Sequence, residues 1–164
     1  MQIAFRKSAV LVIEPDADMM NVIRYHLNKA GFEVISVTNG KEALGVLHDR
    51  PVEIIVSDAT MPDMRGAALR KQLFLDPGTR DIPFLFLLPS VHPEQELPVL
   101  RNALDSWLAK PFDPLHLIAR VESLLSRQRT HAELMRIDPL TRVLNLPSIE
   151  REVAADLNRL QRYG

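Results

Sequence analysis

The sequence predicts an α/β fold: a doubly wound, five-stranded parallel sheet with helices on both faces and an extended helix toward the C-terminus. Three observations predict it. Short, strongly apolar runs rich in β-branched residues alternate with segments whose apolar residues recur every three to four positions. The runs are apolar along their whole length, as strands covered on both faces must be. Finally, no Pro or Gly interrupts the chain between Pro114 and Pro139, so that stretch reads as one long helix.

Residues 8–13 form the first strand, and the 16–30 helix follows with Met19, Met20, Ile23, Leu27 and Ala30 at helical spacing. Gly31 stands where a helix C-cap belongs. The second strand, 32–37, ends at the turn Asn39-Gly40, and the 41–48 helix carries Ala43, Leu44 and Leu47 on one side. The third strand is 52–57. The 65–76 helix is broken by Asp76-Pro77-Gly78, and 82–88 is an almost wholly apolar fourth strand. A weak helix over 94–103, containing Pro98, precedes a short fifth strand over 106–109. Asp113-Pro114 opens the last helix, with Asp as N-cap and Pro at the first helical position.

Composition excludes several classes. The chain has 164 residues and no Cys, which rules out disulfides, thiolate nucleophiles and Cys-ligated metals. Its net charge of −1 argues against bulk electrostatic binding of nucleic acid or anionic membrane. The apolar runs are too short to span a bilayer, and the N-terminus makes a poor signal peptide, so a cytoplasmic location is expected.

In a parallel sheet, ligands bind beyond the carboxyl ends of the strands. Those ends carry Glu14-Pro15-Asp16, then Asp58, then Leu88-Pro89-Ser90, then Lys110-Pro111. Glu14, Asp16, Asp58 and Lys110 therefore converge on one edge. Carboxylates packed together repel unless a hard cation or a lysine neutralises them, and three acids suit Mg²⁺. An Asp beside Mg²⁺ and Lys can act as a nucleophile toward a phosphoryl group. Asp16 and Asp113 read equally well as helix N-caps. A nucleotide- or flavin-binding enzyme ranks last, because no Gly-x-Gly-x-x-Gly or Walker loop follows any strand.

Residues 10–16, the run Asp58-Ala59-Thr60-Met61-Pro62-Asp63-Met64-Arg65-Gly66, and Lys110-Pro111-Phe112 together resemble the receiver domain of two-component response regulators. The resemblance covers about residues 8–127. It implies the flavodoxin-like receiver fold, phosphorylation of Asp58 by a histidine kinase or phosphotransfer protein, and Mg²⁺ held by Glu14, Asp16 and Asp58. It also implies that Lys110 contacts the phosphoryl group, that Trp107 is the switch aromatic, and that the Lys110–Pro111 bond is cis. Two departures stand beside it. Pro15 replaces the second acid of the family's pair, and Leu88 replaces the Ser or Thr ending strand 4, with Ser90 two residues later. They make a degenerate receiver, acting as a phosphorylation-independent dimerisation or interaction module, the alternative reading.

In the last helix, Ile118, Val121, Leu125, Gln128, Ala132 and Met135 form a heptad stripe; its first half equally suits packing on the sheet and its second half needs a partner, so a homodimer through residues 114–136 is expected. Next, Asp138-Pro139-Leu140-Thr141-Arg142-Val143-Leu144-Asn145 resembles the opening motif of GGDEF diguanylate cyclase domains, which makes Asn145 a weak nucleotide contact of an output domain. The expected organisation is a receiver at 1–127, a helical linker at 128–137 and the start of a GGDEF-like domain at 138–164. The signature loop of that domain is missing from these residues. The chain is thus expected to be the regulatory part of a cyclic di-GMP signalling protein and not itself an enzyme.

Overall fold

A computed structural model of the chain describes residues 6–89 and 102–136. Five strands, β1 (Ala9–Ile13), β2 (Glu33–Val37), β3 (Ile54–Asp58), β4 (Phe84–Leu88) and β5 (Asp105–Ala109), form one sheet in the order β2-β1-β3-β4-β5. Every pairing is parallel. Four helices are described: α1 (Ala17–Lys29), α2 (Gly40–Asp49), α3 (Gly66–Leu75) and α4 (Pro114–Arg136). The doubly wound fold expected from the sequence is therefore present. The chain divides into two compact units, Met1–Leu125 and Ser126–Gly164.

The period-two geometry of a strand explains the continuous apolar runs, since successive side chains enter opposite cores. Val10, Val12, Ile54, Val56, Leu85 and Leu87 face α1 and α4, meeting Met20, Ile23, Leu27, Leu117, Val121, Leu124 and Leu125. Leu11, Ile13, Ile55, Phe84, Phe86 and Leu88 face the other way, meeting Ala43 of α2 and Leu69 and Leu73 of α3. At the end of α1, Gly31 takes φ +96°. Its N–H donates to Asn28 O and that of Phe32 to Leu27 O, which closes a Schellman cap only a residue free of Cβ strain adopts readily.

Element ends differ from expectation in ways that have causes. Asp58 is the last residue of β3, paired with Leu87, rather than the first after it. β4 starts at Phe84 because Pro83 precedes it and the Ile82 N–H turns back to Thr79 O. The helix expected over 94–103 lies outside the described residues except for Asn102 and Ala103. There the chain turns instead, with the Leu104 N–H on Asn102 Oδ1 and the Asp105 N–H on Asn102 O. Ser90, Asn145 and the whole 138–164 segment lie outside the described residues.

The sheet takes the first half of the heptad stripe. Val121 and Leu125 are buried in the sheet core and Ile118 packs against it, so half of the seam offered to a second chain is spent inward. Covering the sheet face removes more apolar surface from water than a two-helix seam of the same length. Beyond Leu125, Gln128 is half-buried and Ala132, Leu134 and Met135 are exposed.

One buried feature had no sequence signal. Arg70 of α3 is 1% exposed and pairs with Asp105 at the start of β5, Nη2 to Oδ1, at 2.8 Å. Its Nη2 also donates to Arg80 O at 3.2 Å, and its guanidinium carbon lies 5.8 Å from the centroid of the Phe84 ring. The contact is an ion pair more than an aligned hydrogen bond, and among the described residues Arg70 Nε and Nη1 have no hydrogen-bond partner.

Candidate functional site

Sheet order reverses between β1 and β3, and parallel sheets place their ligands beyond the carboxyl ends of the strands at such a point. Glu14 follows β1 and is 1% exposed, Asp58 ends β3 and is 16% exposed, and Lys110 follows β5 and is 20% exposed. Lys110 Nζ lies 2.8 Å from Glu14 Oε2 and 3.3 Å from Asp58 Oδ2. One ammonium thus bridges carboxylates from two other strand ends. Burial works against its charge, but the hydrogen bond to Glu14 and the field of Asp58 outweigh that and hold the Lys110 pKa above its ordinary value. The Lys110–Pro111 bond is cis, and the Lys110 N–H donates to Leu88 O at 2.7 Å.

Asp16 goes elsewhere. Its carboxylate accepts from the Met19 N–H at 2.8 Å as the N-cap of α1, while its own N–H donates to Glu14 Oε1 at 3.0 Å. A cap so placed satisfies a helix donor that has no other partner. The three converging acids expected from the sequence are therefore two acids and an ammonium. Among the described residues no three or more His, Asp or Glu side chains gather as a metal-holding group. The donor set does fit a hard cation that keeps most of its waters, with Glu14 and Asp58 as its carboxylates.

Of the three positions implied as switches, Ser90 lies outside the described residues and the other two, Leu88 and Trp107, pack against the core. Leu88 is buried among the residues covered by α2 and α3, and it presents only its carbonyl to the Lys110 loop. Trp107 is half-buried against the same core. Sequence reasoning missed the loop contacts that frame Asp58. The Thr60 N–H approaches Asp58 Oδ1 at 3.4 Å, and a Cβ on Gly66 would lie 2.8 Å from Asp58 O. It also assigned no role to Asp63, whose carboxylate accepts from the N–H groups of Gly40 and Lys41, both at 2.9 Å. The motif run contains all three residues and Asp58 itself, but the partners of Asp63 lie 23 and 22 residues away.

Comparison with known proteins gives the family and the fold. Residues 10–122 match the family described as the response regulator receiver domain. Among curated proteins, response regulator SaeR of Staphylococcus aureus is 27% identical over 144 residues, covering 85% of this chain and 61% of that protein. The chain thus spans less than two-thirds of the length of such relatives. Among solved structures, chemotaxis response regulator CheY4 of Vibrio cholerae superposes with a TM-score of 0.66 at 27% identity, covering 73% of this chain and 99% of that one. The receiver domain of the Francisella response regulator 1452 gives 0.67 at 29% identity, over 74% and 98% of the two chains. No described helix is long and apolar enough to cross a membrane. From its sheet order, its strand-end cluster and this match, the chain belongs to the response regulator receiver domains, the receiving modules of two-component systems.

Proposed function

We propose that the chain accepts a phosphoryl group on Asp58 from a histidine kinase or phosphotransfer protein. The observation that carries this reading is the Lys110 ammonium set between Glu14 and Asp58. In the transfer, an Asp58 oxygen forms the new P–O bond as the P–N bond of the donor phosphohistidine breaks, and the departing imidazole takes up a proton. Lys110 supplies fixed positive charge beside the oxygens that carry the negative charge. Glu14 orients Lys110 through their hydrogen bond. Mg²⁺, when bound by Glu14 and Asp58, adds further positive charge at those oxygens. Incubation with acetyl phosphate and Mg²⁺ should place an acid-stable, hydroxylamine-labile phosphoryl group on Asp58, and Asp58→Asn should take none. An unlabelled chain would favour the phosphorylation-independent module instead, the reading supported by the hydroxyl-free Leu88.

Two carboxylates hold Mg²⁺ more weakly than three, because the ion sheds its waters reluctantly. Titration followed through Trp107, the single Trp of the chain, should half-saturate at millimolar Mg²⁺ or above. Saturation well below millimolar would mean that Asp16, or another oxygen donor, completes the site.

The proposed organisation places the receiver at 1–127, a linker at 128–137 and the start of a GGDEF-like output at 138–164, with no enzyme activity in the chain itself. Self-association through α4 rests on Gln128, Ala132 and Met135, because the earlier seam residues are buried. So short a seam makes a weak dimer. Sedimentation should show a small dimer fraction at high concentration that is absent from a chain ending at Arg127. Equal fractions in the two would remove α4 as the interface. The cluster and the absence of long apolar helices among the described residues suit a cytoplasmic partner of a kinase.

A further inference from the structure

The geometry points to Asp63 as a positioning residue for phosphoryl transfer: its carboxylate ties the hairpin that begins at Asp58 to the first turn of α2, and Gly40 is the seat that lets the hairpin dock. This rests on the reading of Asp58 as the acceptor.

The first N–H groups of a helix have no partner within it. In α2, Asn39 Oδ1 accepts from the Glu42 N–H, and its carbonyl takes the first bond of the helix from the Ala43 N–H. The N–H groups of Gly40 and Lys41 donate to Asp63 Oδ1 and Oδ2, both at 2.9 Å across 23 and 22 residues of chain. Both carboxylate oxygens are engaged, so the side chain is held against rotation. Helix-end dipoles favour a negative charge there. The Gly40 N–H is the main cause of an Asp63 pKa below the usual value.

The hairpin itself is closed at several points. The Gly66 N–H donates to Ala59 O at 2.9 Å and the Met61 N–H to Met64 O at 3.1 Å, with an antiparallel bridge between Thr60 and Arg65. At its base, Gly66 lies so close to Asp58 O that a Cβ would come within 2.8 Å. At its tip, Met64 covers Gly40, where a Cβ would lie 2.5 Å from the Met64 sulfur. The base is fitted against backbone and the tip against the flexible Met64 side chain, so the Asp63 carboxylate is the fixed link through which a shift of α2 would reach the Thr60 N–H beside Asp58 Oδ1. Asn39 already caps the Glu42 N–H of α2, and the exposed Lys41 N–H would find water if Asp63 were absent, but the buried Gly40 N–H would not, so Asp63 serves the helix end as well as the hairpin. What Asp63 adds is the link to the loop of the acceptor, where transfer demands a fixed approach of oxygen to phosphorus.

The test compares the unaltered chain with Asp63→Ala, Asp63→Asn and Gly40→Ala, each at a temperature where its unfolding curve shows it fully folded. The readouts are the rate of Asp58 labelling by acetyl phosphate at saturating Mg²⁺ and amide hydrogen exchange over residues 59–66. Asp63→Ala should label about tenfold more slowly, short of the ~10²-fold that a full 1 Å misplacement costs. Its 59–66 amides should exchange faster while those of β1 and β4 do not change. Asp63→Asn keeps one acceptor and should fall between. Gly40→Ala, which removes no charge but displaces Met64, should also slow labelling. Equal labelling rates in the unaltered chain and all three variants would overturn the inference while leaving Asp58 as acceptor. Absence of label in the unaltered chain would overturn the acceptor reading, and this inference with it.

Discussion

Asp105→Ala is expected to lower unfolding stability by about 3–5 kcal/mol, because it leaves the Arg70 guanidinium charged and buried without its counter-ion. Arg70 is 1% exposed and among the described residues two of its nitrogens have no partner, so the loss of Asp105 leaves it, among those residues, the Arg80 carbonyl and the Phe84 face. Burial also pushes the Asp105 carboxyl above its usual range, against the pull of the Arg70 guanidinium, so the pair is held at a desolvation cost. The double variant Arg70→Met with Asp105→Leu should therefore recover most of the loss, since an apolar pair of similar volume carries no desolvation penalty. Urea unfolding of both variants and of each single one measures the coupling directly. A single-variant loss below about 1 kcal/mol would show that water reaches Arg70 when Asp105 is removed.

Lys110→Met is expected to abolish labelling of Asp58 and to cost roughly 2–4 kcal/mol, because Glu14 is left buried with its charge opposed only by the Asp16 N–H. The pH dependence has a definite sign. The folded pKa of Lys110 lies above its unfolded value near 10.5. Its stabilising contribution is then complete below that value and is lost as pH rises through the higher folded pKa. The stability gap between the unaltered chain and Lys110→Met should stay flat from neutral pH to about pH 10 and narrow above it. A gap that already closes on going from pH 7 to 9 would mean that the ammonium is not held by the two carboxylates.

What could be read in the sequence and what could not separate along a physical line. Features that depend on chain neighbours were readable. The continuous apolar runs became two-faced strands, Gly31 became the C-cap of α1, and Pro114 stands at the first turn of α4. The rule that ligands gather beyond strand ends was enough to nominate Glu14, Asp58 and Lys110, because topology alone brings those ends together. Whether an individual side chain turns toward the strand-end cluster was decided only by the tertiary structure. Asp16 had two readings at the sequence level, ligand or cap, and the structure shows the cap, with one carboxylate oxygen accepting from the Met19 N–H at 2.8 Å. The heptad stripe of α4 had two readings as well, and the sheet face claimed Val121 and Leu125 because a preformed apolar surface lay within the same chain. Arg70 with Asp105, and Asp63 with the α2 amides, join residues 35 and some 22 positions apart. No local periodicity or motif spacing records such pairs, since they exist only once α3, β5 and α2 have been packed around one sheet.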